Sequence, residues 1–90
     1  MSDVITIEKD KVETRKELRK NALLRLYNFY FEKNGSSTRV AFEDTEEGVE
    51  DKLAYFYLAD LGLITVRGQG LKFDAKITAH GINRVESEIE

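Results

Sequence analysis

Ninety residues with 41% apolar and 34% charged side chains and a formal net charge of -3 describe one small globular domain, too apolar to stay disordered and too short for two cores. The absence of cysteine excludes disulfides, zinc-thiolate sites and thiol nucleophiles. No apolar run approaches the roughly 20 residues that cross a bilayer, and the N-terminus lacks the basic flank and apolar stretch of a signal peptide, so a cytoplasmic protein without membrane contact is expected.

Residues 1–90 read as one continuous domain without repeat, linker or proline. Residues 4–7 are β-prone and predict a short edge strand or flexible arm within residues 1–9. From Asp10 the pattern turns helical, with Asp10 and Glu13 spaced as a capping box. Leu18, Ala22, Leu26 and Phe29 follow helical spacing, and Leu23, Leu24, Tyr27, Tyr30 and Phe31 make the second half apolar nearly all round, which places it at the centre of the core. Asn34-Gly35 ends this helix in the left-handed conformation.

Residues 38–42 predict a short strand. Asp44 and Glu47 suggest a second capping box, opening a helix to about Leu61 whose inner face is built on Val49, Leu53 and Phe56, extended by Ala54, Tyr57, Leu58 and Leu61. That assignment leaves Tyr55 outward. Gly48 costs on the order of 1 kcal/mol relative to alanine in a helix interior and suggests an irregular first turn.

The next segment carries the clearest period. Ile64 and Val66 alternate with Thr65 and Arg67, and beyond Gly68-Gln69-Gly70 the apolar Leu71, Phe73, Ala75 and Ile77 alternate with Lys72, Asp74 and Lys76. Such alternation on both sides of a glycine-bounded turn predicts that residues 63–67 pair antiparallel with 71–77, apolar side chains inward. Thr78 then caps a short helix carrying Ile82, Val85 and Ile89 on one stripe. The fold class expected is α+β: long helix, short strand, second long helix, two-stranded hairpin, short terminal helix.

Leu61-Gly62-Leu63-Ile64, the turn at residues 67–71, and Ile77-Thr78-Ala79-His80-Gly81 followed by Ile82 and Val85 resemble the second half of many prokaryotic winged-helix proteins. There a helix ends in leucine-x-x-glycine-leucine-isoleucine and the wing returns to a threonine-x-x-glycine helix start. The chain is also similar to small phage-type winged-helix proteins with one long first helix. The resemblance covers about half the chain and implies a DNA-associated role, such as transcription regulation. Only residues 35–44 separate the first two long helices, which leaves little room for the family's usual second helix.

Charge is unevenly distributed. Residues 9–25 carry seven bases against three acids, a net +4, whereas Glu43, Asp44, Glu46, Glu47, Glu50 and Asp51 put six acids in nine residues without a base. The helix corresponding to a recognition helix therefore begins acidic, and duplex DNA, with about one charge per 1.7 Å, repels it. If nucleic acid is bound, the better candidates are Arg67, Gln69, Lys72 and Lys76 on the hairpin with Arg15, Lys16 and Arg19 on the first helix. The competing class is a protein-interaction module whose acidic helix meets a basic partner, or whose Ile82, Val85 and Ile89 stripe, where it does not pack back on the first helix, joins a second copy in a homodimer.

Enzymatic chemistry is not expected. The acids lack the spacing of a calcium loop and suit the positive end of a helix dipole, so no metal or other cofactor is expected. His80 is the only histidine, in a helix start, and is expected to be an exposed or capping residue. Ser36, Ser37 and Thr38 have no paired base, and Gly68-Gln69-Gly70 is too short for a phosphate loop. Of the tyrosines, only Tyr55 is expected to point outward, where it could stack on a base.

Overall fold

The structure, a computed structural model, describes residues 2–89, with side chains described for residues 9–88. The elements run α1 (Ser2–Glu32), β1 (Thr38–Ala41), α2 (Glu46–Asp60), β2 (Ile64–Gln69), β3 (Lys72–Ile77) and α3 (Ala79–Ile89). This is an α+β fold of three helices and one antiparallel sheet. The sheet has three strands in the order β1-β3-β2, not the two of an isolated hairpin, because β1 joins the free edge of β3.

α1 corrects the expectation for the N-terminus. It begins at Ser2, so residues 4–7 are helical where a strand or arm was expected. A strand needs a neighbour for its amides, whereas a helix already propagating through Asp10 adds residues at one hydrogen bond each. Asp10 is accordingly no cap; its carbonyl accepts the Thr14 hydroxyl at 3.0 Å. The helix ends as expected, with Asn34 at φ 57° and Gly35 at φ 82°. The Gly35 N–H reaches back to the Tyr30 carbonyl at 2.7 Å.

The cap of α2 is Thr45, one residue later than Asp44. Its hydroxyl accepts the Gly48 N–H at 3.0 Å, and Glu46 and Glu47 occupy the first turn. Gly48 opens a regular first turn and not an irregular one. A Cβ there would lie 1.9 Å from the Glu43 carbonyl oxygen, so glycine permits the chain to fold back on the cap.

The buried face of α2 also differs from the expectation. Ala54, Tyr55 and Leu58 are buried, Val49 is half-buried, and Leu53, Phe56, Tyr57 and Leu61 are 50%, 37%, 42% and 44% exposed. Tyr55, expected outward, is 5% exposed, with its ring 5.4 Å from Phe42 and 6.0 Å from Phe73. Where apolar side chains surround a helix, periodicity leaves its rotation open, and the sheet it meets decides it. Here the aromatic edges of Phe42 and Phe73 select Tyr55.

The hairpin forms as an antiparallel pair, as expected, but its turn is at Gly70-Leu71 and not at Gly68-Gln69-Gly70: Gly68 and Gln69 extend β2 and pair with Phe73 and Lys72. Ile64 pairs with Ile77, Val66 with Ala75 and Gly68 with Phe73 on one side of β3, and Val40 pairs with Phe73 on the other. Phe73, Ala75 and Ile77 are buried, Leu71 is half-buried, and Lys72 and Lys76 are exposed. α1 closes this layer with Ala22, Leu23 and Leu26, whereas Leu24 and Phe29 are only partly buried.

The α2–β2 and β3–α3 junctions lock together. At the end of α2, Gly62 takes φ 79°, its N–H donates to the Ala59 carbonyl at 2.9 Å, and the Leu63 N–H donates to the Leu58 carbonyl at 3.0 Å. This double bond pattern is a Schellman motif, and it buries Leu63 to 1% exposure. The Thr78 hydroxyl then donates to the Gly62 carbonyl at 2.7 Å and accepts the Gly81 N–H at 3.1 Å, while the Thr78 N–H donates to the Leu63 carbonyl at 3.0 Å. Thr78 is thus the expected cap of α3 and also the clasp between the two junctions.

Two members of the α3 stripe pack within their own domain. Val85 is 3% exposed and Ile82 packs partly buried on the core, the alternative to an interface with another chain. A short helix is marginal alone, and these two side chains give it cover from within. The side chain of Ile89 lies outside those described. The Tyr27 hydroxyl donates to the Glu86 carboxylate at 2.9 Å and ties α1 to α3.

A Cβ at Gly81 would lie 2.1 Å from the Leu63 carbonyl oxygen and 2.6 Å from the Ile77 side chain, so Gly81→Ala must separate α3 from the β2 junction. Urea unfolding should show a loss of about 2 to 3 kcal/mol for Gly81→Ala. Thr78→Ala should lose about 1 kcal/mol, and His80→Ala, at an exposed position, less than about 0.5. Equal stability of Gly81→Ala and wild type would contradict the junction as described.

Candidate nucleic-acid interface

The pleat of the sheet sends Val40, Phe73, Ala75 and Ile77 to the core and the intervening side chains to solvent. Register then decides which of the outward side chains are neighbours. Arg39, Asp74 and Arg67 form one row across the three strands, Ala41, Lys72 and Gln69 the next, and Lys76 lies beside Thr65. Four cations and one carboxylate therefore share the outer face. Asp74 accepts from Arg39 Nε at 2.8 Å; its cross-strand partner Arg67, and Lys72 and Lys76, make no ion pair with it among the described residues.

Where this face meets the α1–β1 turn, a polar cleft of about 560 Å³ is lined by Ser36, Ser37, Thr65, Arg67, Asp74 and Lys76, with Gly35 at its edge. Three hydroxyls and two cations around one hollow are donors to a phosphate oxygen, against one carboxylate, Asp74, whose charge is met by Arg39. Lys76 Nζ also lies 5.9 Å from the Tyr30 ring centroid, near the outer limit of a cation–π contact with the end of α1.

The first-helix candidates lie elsewhere. Arg15 makes a two-point pair with Glu50, Nε to Oε1 at 2.8 Å and Nη2 to Oε2 at 3.0 Å. The Arg19 guanidinium sits 3.8 Å over the Tyr57 ring, a cation–π contact that joins α1 to α2. Lys16 is exposed. Tyr30, beside Lys76, is roughly 22 Å along the helix axis from Arg15, so the structure keeps the hairpin and first-helix bases apart. Arg15 and Arg19 brace α2 instead of extending the basic sheet face.

Arg39 is the residue that sequence reasoning missed. Its alternation with Val40 marks it as outward, but its place beside Asp74 and Arg67 depends on β1 pairing with β3, which no local pattern reveals. The acids at the start of α2 are not part of the polar cleft: with Asp10, Lys11 and Thr14 of α1, Glu46 and Glu47 line a separate hollow. Among the described residues, no group of three or more acidic or histidine side chains is placed to hold a metal ion. His80 is exposed in the first turn of α3. Among the described residues, no helix is long and apolar enough to cross a membrane.

No protein-family model matches the sequence, and neither a curated protein nor a solved structure matches it significantly.

The Arg15–Glu50 pair has a defined pH response. The hydrogen bonds from Arg15, aided by its charge, hold the Glu50 carboxyl below its ordinary value of 4.5. A carboxyl with a lowered folded pKa stabilises the fold above the unfolded value and loses that contribution as pH falls through the folded one. Coupling in an Arg15→Ala, Glu50→Gln double-mutant cycle should be present at neutral pH and low salt. It should disappear below the lowered pKa of Glu50, and weaken in molar salt because both groups are exposed. Coupling that persisted in acid would contradict an ionic pair.

Proposed function

We propose that this chain is a winged-helix-like, nucleic-acid-associated module that holds the phosphate backbone on the outer face of its three-stranded sheet. The observation that carries the proposal is the convergence of Arg39, Arg67, Lys72 and Lys76 on one face, beside the hydroxyl-lined cleft at Ser36 and Ser37. The order of helices and strands is compatible with a winged-helix layout, with β2 and β3 as the wing. No helix stands between α1 and α2, where only β1 is found, so an ordinary helix-turn-helix is not part of the proposal. The start of α2 is acidic and solvent-facing, which disfavours its entry into a major groove. Phosphate contacts position a protein without selecting sequence, so the role that fits is backbone binding in a transcriptional or other DNA-associated assembly.

A protein-interaction role has one observation in its favour, the exposed apolar Leu53, Tyr57 and Leu61 on α2. The two readings separate in a salt titration with duplex DNA. On the nucleic-acid reading, the logarithm of the binding constant falls linearly with the logarithm of salt concentration. Arg67→Ala and Lys76→Ala each reduce that slope by about 0.9, the value of one phosphate contact. Glu46→Gln with Glu47→Gln should leave binding intact or strengthen it. Absence of binding at low salt, or loss of binding only in the glutamine variant, would overturn the proposal.

A further inference from the structure

A second surface is independent of the sheet face. α1, the end of α2 and the second half of α3 enclose an open groove of about 880 Å³. Its floor is the edge of the core, where the buried Leu23, Leu58 and Val85 meet. Tyr57 and Leu61 stand on its wall at 42% and 44% exposure, large apolar side chains that the chain's own fold leaves in water. Its rim carries four cations, Lys16, Arg19, Lys20 and Arg84, against the single carboxylate of Glu88. Bases around an apolar floor are what an amphipathic helix with acidic flanks complements: leucine-like anchors fill the trough and carboxylates reach the rim.

We propose that this groove docks an acidic amphipathic helix of a partner protein. Duplex DNA would satisfy the rim but leave Tyr57 and Leu61 facing phosphate, which gains nothing from covering them. A second copy of the chain is a poorer fit, because the exposed Leu53 and Phe56 of its acidic helix have Lys52 beside them, and the neighbouring Glu50 is already paired with Arg15. The Arg19 guanidinium, although 3.8 Å over the Tyr57 ring, makes no hydrogen bond or ion pair among the described residues, so its N–H donors can still bind a carboxylate. The groove therefore offers an apolar anchor and an ionic contact within one helical turn of a ligand.

The probe is a fluorescein-labelled peptide with leucines at helical i, i+4 spacing and glutamates at most other positions. Its controls are a scrambled peptide of the same composition and one with lysine in place of glutamate. Anisotropy titration with the full chain should give binding to the first peptide that weakens with salt, and binding at least about tenfold weaker to both controls. Leu61→Asp and the pair Lys20→Glu, Arg84→Glu should each weaken it by about tenfold, with unchanged far-UV circular dichroism showing that these exposed positions leave the fold intact. Arg67→Ala should not affect it, which separates this groove from the sheet face. Equal binding of amphipathic and scrambled peptides, or indifference to both groove variants, would overturn the proposal. So would displacement of the peptide by duplex DNA, or a wild-type dimer that Leu61→Asp converts to a monomer, since each assigns the groove to another occupant.

Discussion

The clasp at Thr78 governs the arrangement of the second half of the chain. One hydroxyl joins the carbonyl of Gly62, at the end of α2, to the amide of Gly81, in the first turn of α3. Through the same residue the Thr78 amide holds the Leu63 carbonyl, whose oxygen packs against the Gly81 backbone too closely for any side chain there. The two ends of the hairpin are thereby fixed to each other, with Ile64 opposite Ile77 and both 2% exposed. A one-residue slip of this register would turn Phe73 and Ala75 outward and Lys72 and Lys76 into the core. The basic outer face is the reverse side of that constraint.

Elements whose signals are local were legible in the sequence. The alternation on either side of Gly68-Gln69-Gly70 needs only neighbouring residues to predict a two-faced strand, and the predicted faces are the observed ones, although the turn itself lies at Gly70-Leu71. Thr78 and Asn34-Gly35 likewise act on amides and carbonyls within a few residues. The rotation of α2 was not legible, because Leu53, Ala54, Tyr55, Phe56, Tyr57 and Leu58 are six successive apolar residues around the helix. The contacts with Phe42 and Phe73 that place Tyr55 inward come from distant strands. For the same reason Arg39 went unseen as part of the basic face, and Arg15 and Arg19 read as free cations although α2 supplies their partners.

The charge pattern in sequence, basic then acidic, becomes two different things in space. Arg15 meets Glu50, so part of the opposition is spent on joining α1 to α2, a junction that the Arg19–Tyr57 contact reinforces without neutralising the cation. What remains is an outer sheet face rich in Arg and Lys, an acidic helix start that follows the Ala41–Lys72 end of the sheet, and a basic-rimmed groove with an apolar floor. Such segregation allows one small domain to present two surfaces of different chemistry. A polyanion suits the hydroxyl-lined sheet face, and an amphipathic acidic segment suits the groove.

The most direct test of this account is amide chemical-shift mapping of the intact chain titrated with a short duplex DNA at low salt. The account predicts perturbations concentrated at Ser36, Ser37, Arg39, Arg67, Lys72 and Lys76, with residues 44–51 and the groove residues Tyr57 and Leu61 unmoved. Perturbations centred on residues 44–60, with the sheet face silent, would contradict it and return the acidic helix to the role of the DNA-contacting element.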